Sequence, residues 1–264
     1  MGKLLQFELR KLFRQVSFYV CLAVLCAVVF VGIFTTYSII RVTEADIGVD
    51  FDTETLEMFG LGLNLNGRGY LLTALGGNNL TLLLGIFIAL FICSDYVNGT
   101  AKNVIGRGYS RWKCTAVKQA VTALGTLIFC AAACGLSFAL ATGYWGLGKG
   151  WEFRDVTRLL LQLLTVLAYA AFFAFFSFLL KRSGAAIALN ILVPSVISLI
   201  LTLIDVFTEK KDIFLSEYWL ADCLSVSTNL KAEAADLTRC GIVAGVYLVV
   251  FVLLTHLVTS RRDV

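Results

Sequence analysis

The sequence predicts an all-α polytopic membrane protein: six transmembrane helices, an N-terminal interfacial elbow helix, and both termini on the cytoplasmic side. Three observations predict it. Hydrophobic residues make up 59% of the 264 and charged residues only 15%, with a mean hydropathy of +0.85; a soluble domain is nearer a quarter charged. A single Pro among 22 Gly in so apolar a chain favours long uninterrupted helices over a turn-rich β fold. Six stretches also reach the roughly 20 apolar residues that a bilayer core requires. They cover approximately 16–40, 71–94, 119–146, 159–180, 184–204 and 241–260, and none contains Asp, Glu, Lys or Arg.

Before the first span, residues 3–15 form the elbow helix. On a helical wheel Leu4, Leu5, Leu9, Leu12, Phe13 and Val16 share one half, and Lys3, Gln6, Arg10, Lys11 and Arg14 the other, with Phe7 the exception. An apolar face opposite a basic face describes a helix lying in the membrane interface. The first span is read as retained, being too long for a signal-peptide core and lacking a small-residue cleavage site. The loop that follows is acidic at first and Gly/Asn-rich later. Between the fifth and sixth spans, 205–240 carries its own apolar clusters. It is either a short helix resting on or dipping into the outer leaflet, with Tyr218 and Trp219 as interfacial aromatics, or a solvated loop.

Orientation follows from counting basic residues. The N-terminus, the loop between the second and third spans, Lys181 with Arg182, and the C-terminal Arg261 with Arg262 hold 13 basic residues against three acidic ones, Glu8, Asp95 and Asp263. The opposite side holds 9 basic and 15 acidic residues. Both termini are therefore placed in the cytoplasm, and an even number of spans agrees in putting them on one side. The net charge of +4 is too small and dispersed to suggest nucleic acid as a partner. Cys21, Cys26, Cys93, Cys130 and Cys134 lie within apolar runs and read as small hydrophobes. Cys223 and Cys240 share a polar outer stretch, where spacing alone does not establish a disulfide.

Several chemistries are tested by what the chain lacks. There is no GxxxxGK[ST] nucleotide loop and no HExxH. The lone histidine, His256, has no neighbours that would orient a nucleophile or complete a metal site. We therefore expect no enzymatic activity, no cofactor and no metal. Ion-coupled carriers keep ionisable groups at membrane depth, whereas these spans hold only weak polar groups: Asn78 and Asn79 in the second, and Asn190, Ser195, Ser198 and Thr202 around Pro194 in the fifth. Such groups either line a path for a large amphipathic substrate or join helices by hydrogen bonds. Energy for any transport then comes from another subunit.

The segment 95–118 is the second informative region. Asp95 sits where the second span meets the cytoplasm. A Gly99-Thr100 break follows, then a short amphipathic piece over 102–105, further breaks at Gly106 and Gly108, and Ser110 as the cap of a helix opening with Arg111. A short helix between flexible breaks suits a contact that transmits motion. The order Asp95, Asn98-Gly99-Thr100-Ala101-Lys102 and Tyr109-Ser110-Arg111 resembles the permease subunits of type-2 ATP-binding-cassette (ABC) exporters, in which Glu is common where this chain has Asp95. The elbow, six spans, cytoplasmic termini and longer last outer loop agree with that architecture.

The resemblance implies two permease protomers, identical or similar, and two cytoplasmic ATP-binding subunits that dock on 95–118. Asp95, Asn98, Gly99, Thr100, Lys102 and Arg111 would then receive the ATPases' motion, and the second and fifth spans would line the path between the protomers, with membrane lipid as a further partner. Substrates of that family include antimicrobial peptides, drugs, lipids, polysaccharides and ions. Two other readings are weighed: a membrane assembly or sensor protein that docks a cytoplasmic partner through the basic loop, and an intramembrane enzyme.

Overall fold

A computed structural model describes residues 2–47, 65–148, 150–207, 214–230 and 232–261. Among them are ten α-helices, one 3-10 turn and no strand: α1 (Gly2–Arg14), α2 (Val16–Ile47), α3 (Gly67–Thr73), α4 (Asn78–Val97), α5 (Thr100–Gly106), α6 (Arg111–Trp145), α7 (Phe153–Leu180), α8 (Ser183–Phe207), α9 (Leu220–Thr228) and α10 (Ala234–Arg261). Six of these, α2, α4, α6, α7, α8 and α10, are long and apolar enough to cross a membrane. The chain is an all-α multi-pass membrane protein.

Helix α1 buries one stripe, Leu4, Glu8 and Leu12, while Leu5, Phe7 and Phe13 stay exposed beside Lys3, Arg10 and Arg14. Repeats of four residues place that stripe on a single helix face. The helix breaks at Gln15 before α2 begins. Phe18 of α2, Phe87 of α4 and Phe129 of α6 meet with ring centroids 5.1–5.7 Å apart. At Gly125 of α6 a Cβ would stand 3.1 Å from Phe87 and 3.6 Å from Leu12. The missing side chain is what lets α1 and α4 close on α6, the small-residue contact that packs helices where water supplies no driving force.

The second span begins later than its hydropathy suggests. The apolar run from 71 is interrupted: α3 stops at Thr73, Gly77 lies in extended backbone, and α4 starts at Asn78. Leu72 and Leu75 are buried against the protein rather than set in lipid. Asn66 caps α3, its Oδ1 accepting from the Gly69 amide at 2.7 Å. Asn78 and Asn79 therefore open α4 instead of lying within a span. Helices α6, α7 and α10 start earlier than their apolar runs, extended by polar turns that carry contacts of their own.

Helix α7 is the central element. In its most apolar stretch 61% of residues are buried, against 6% for α8, which lies at the periphery against α4 and α7. Polar bonds fix its N-terminal end. Asp155, almost fully buried, accepts from Arg68 Nε at 2.8 Å and Nη2 at 3.1 Å, and closes a capping box with Glu152. Arg154 and Arg158 donate to the carbonyls of Ala232 and Leu230, and Gln162 Nε2 to those of Leu72 and Ser227.

The segment after α8 folds onto this end. Trp219 is 3% exposed, with its ring 5.9 Å from Phe172 and 5.8 Å from Tyr247. It is a core residue and not the interfacial aromatic that its pairing with Tyr218 suggested; Tyr218 alone is exposed. Helix α9 packs on α7 and α10. Cys223 and Cys240 meet in that interface as free, buried thiols, and the Cys240 thiol with burial pushes the Cys223 thiol well above its ordinary range. Residues 48–64, most of the first outer loop, and 208–213 lie outside the described residues.

Asp155→Ala should lower stability by about 3 kcal/mol, because it removes the buried carboxylate that pairs with Arg68 and closes the capping box of α7. Thermal unfolding in detergent reads this as a fall in midpoint. Arg68→Met combined with Asp155→Leu should recover much of the loss, and no recovery would mean that the pair is not what holds this end.

Candidate functional site

At the end of the bundle that carries the N-terminus, three helices bring four opposite charges together away from water. Helix α1 supplies Glu8 and Lys11, α4 supplies Asp95 and α6 supplies Lys118. Asp95, Lys118 and Glu8 are each less than 10% exposed. Lys118 donates to Asp95 Oδ2 and, at 3.0 Å, to Glu8 Oε2; Lys11 donates to Asp95 Oδ1. The Lys118 ammonium also lies 4.2 Å from the centre of the Phe91 ring. Two carboxylates facing two ammonium groups leave no net charge, the condition under which buried ions persist. Burial, then the neighbouring Lys118, hold Lys11 below the ordinary lysine range, opposed by its bond to Asp95.

Local backbone geometry adds the fifth member. Helix α4 ends at Val97, and Gly99 takes φ +67°, a left-handed value that glycine adopts without strain. The chain reverses there, so the Thr100 hydroxyl reaches back to Asp95 Oδ1 at 2.6 Å. Helix α5 is thus tied at its first residue to the ionic cluster, and Gly108, at φ +86°, releases the chain beyond it.

The expected contact residues divide into two groups. Asp95, Thr100 and Arg111 share one cleft with Glu8 and Lys118, whereas Asn98 and Lys102 are exposed and point away from it. Gly106 ends α5 in helical form and is not a break. Ser110 occupies the cap position of α6, although its side chain makes no capping bond. Trp112, one residue after Arg111, stacks on His256 at 4.7 Å.

Sequence reasoning missed Glu8, Lys11 and Lys118. Glu8 had a signal: on the wheel it falls between Leu4 and Leu12, inside the apolar half, and it is one of only three acids at the basic end. A carboxylate so placed demands a buried partner. Lys118 had none, because its neighbours read as a basic loop until the helix start at Arg111 places it on the inner face of α6.

A second feature opens between α4, α7 and α8. Asn78, Asn190, Ser195 and Ser198 line an open crevice of about 310 Å³ together with Tyr169 and Pro194. Asn79 does not line it and is exposed. Asn190 is 2% exposed, and its Nδ2 donates to the Gly85 carbonyl at 3.0 Å and to Ser177 Oγ at 3.4 Å. A Cβ on Gly85 would sit 3.3 Å from Asn190, so that glycine admits α8 to α4. Ser195 donates within its own helix to the Ile191 carbonyl. Among the described residues no group of three His, Cys, Asp or Glu is placed to hold a metal ion.

The model of the family DUF2705, described as a protein of unknown function, matches residues 29–264. No curated protein matches the chain.

Asp95→Ala should cost about 3 kcal/mol in unfolding free energy, since it leaves two ammonium groups facing a single carboxylate. Asp95→Leu with Lys118→Met removes one charge of each sign, and the double variant should lose at least 1 kcal/mol less than the sum of its single variants. Additive losses would show that the four charges are not coupled.

Proposed function

We propose, for a chain that belongs to the DUF2705 family, a specific role: the membrane-spanning permease subunit of an ABC exporter in the cell membrane. It forms the substrate path with a second permease protomer and is driven by separate cytoplasmic ATPase subunits.

One observation carries the proposal. Helix α5 presents Lys102 to solvent between two glycines of positive φ, and its first residue is bonded to Asp95, which is bonded in turn to α1 and α6. A push on α5 therefore reaches the elbow helix α1 and the ends of the spans α4 and α6 through partly or fully buried bonds, where electrostatic links are stiffer than in water. A basic loop whose only task was to set orientation would need no such anchoring. Force received at α5 and a polar crevice lined by α8 fit a protein that moves a solute with energy supplied from outside its own chain.

Transport is outward in this reading, and the candidate cargoes are antimicrobial peptides, drugs, lipids and ions. The basic end faces the cytosol, where an ATPase meets α5 directly. The chain itself contributes no hydrolysis; its work is to hold, expose and release the cargo.

The test is co-purification of the tagged full-length chain from membranes. An ATP-hydrolysing subunit should be retained, and Lys102→Glu should reduce its retention about tenfold while membrane insertion and unfolding midpoint stay unchanged. Absence of any ATPase, or full retention by the charge-reversed chain, would falsify this role for α5.

A further inference from the structure

We propose that the crevice between α4, α7 and α8 binds the uncharged head group of an amphiphile, one that donates a hydrogen bond from an amide N–H or a hydroxyl to Asn190 Oδ1. This deepens the permease reading and rests on it for the meaning of the binding, although the binding itself is measured separately.

The orientation of the Asn190 amide is fixed by its neighbours. The Gly85 carbonyl only accepts, so the NH₂ group must face it, and the oxygen faces the other way. That oxygen is buried and has no partner within the protein. An acceptor left unpaired in a buried site costs about 1–3 kcal/mol, and at membrane depth a bulk-water partner is not at hand. Asn190 is one of only two buried residues of α8. Asn190 lines the crevice, so its unpaired oxygen lies at the crevice wall, and a donor entering there reaches it by a small displacement of that wall.

The rest of the lining defines the charge of the ligand. Its side chains are amides, hydroxyls, aromatic rings and aliphatic groups, and none is ionisable at neutral pH. An ammonium or phosphate held there would lack a counter-charge, a penalty that polar side chains alone do not remove at this depth. A hydroxyl or amide incurs no such penalty. Beside the crevice, Leu192, Val196 and Leu199 of α8 remain exposed and provide an apolar surface against which an acyl chain can lie. A neutral donor joined to a hydrocarbon chain meets both surfaces at once.

The experiment uses the full-length chain in phosphatidylcholine nanodiscs with four diazirine-bearing C16 amphiphiles: a serinol amide, a methyl ester, a trimethylammonium and a sulfate. After irradiation, mass spectrometry locates the adducts. The serinol amide should label the peptides containing Asn78–Leu82 and Ile191–Ser198 about tenfold more than the others, a ratio that one hydrogen bond of ordinary strength provides. Asn190→Leu should abolish that preference. Because Asn190 also bonds Gly85 and its loss could loosen α8, Ser198→Leu serves as a second variant that fills the crevice without touching that bond, and it should reduce serinol-amide labelling to the level of the ester. Equal labelling by all four probes, a preference for a charged head group, or adducts lying elsewhere on the chain would overturn the inference. ATPase retention in the co-purification assay is scored independently, so a chain that holds its ATPase but shows no head-group preference fails here alone.

Discussion

Four charges, three of them buried, are balanced chiefly by one another, and much of the molecule follows from that. Glu8, Lys11, Asp95 and Lys118 come from three helices that are distant in sequence. Losing any one of them would leave an ion of the opposite sign unbalanced in a poorly polarisable setting. The constraint therefore specifies position more than it adds stability: α1 must lie where Glu8 reaches Lys118, and α4 must end where Asp95 meets both lysines. Thr100 extends the same constraint to α5. The surface presented to the cytosol in the proposed orientation is rigid at its base and free only at its tip.

The opposite end of the bundle is organised by a different device. There α7 projects a polar turn beyond its apolar stretch, and Asp155, Arg158 and Gln162 bind α3 and the segment around α9 through backbone carbonyls as well as one ion pair. Backbone acceptors tolerate changes in neighbouring side chains, whereas the cluster at the basic end depends on particular ones. One end is thus a general clamp and the other a specific joint.

Much of the fold was legible in the sequence because bilayer thickness dictates span length, and six apolar runs of sufficient length are hard to read otherwise. The errors have physical causes. Hydropathy averaged across Gly76-Gly77 and joined α3 to α4, since leucines buried against protein score the same as leucines in lipid. Trp219 next to Tyr218 suggested an interface, but aromatic pairs do not reveal which partner turns inward. Of the candidate site, Asp95, the Gly99-Thr100 break and the polar groups of α8 were visible because they interrupt a pattern. Lys118 was invisible because a lysine beside an apolar run looks topogenic whether it meets water or a carboxylate. The pairing of Glu8 with it depends on a contact across 110 positions that local periodicity does not encode.

The corner between α7 and α8 has a geometric consequence. Only Lys181 and Arg182 separate the two helices, and Lys181 sits at φ 57° in a left-handed conformation. With so short a tether, a rotation of α8 relative to α7 would have to pivot at that corner. At 1.5 Å of rise per residue, Asn190 lies about 12 Å from the hinge and Ser198 about 24 Å. Any given rotation displaces the far edge twice as much as the middle, so a swing too small to break the bond to Gly85 still parts the rim at Ser198.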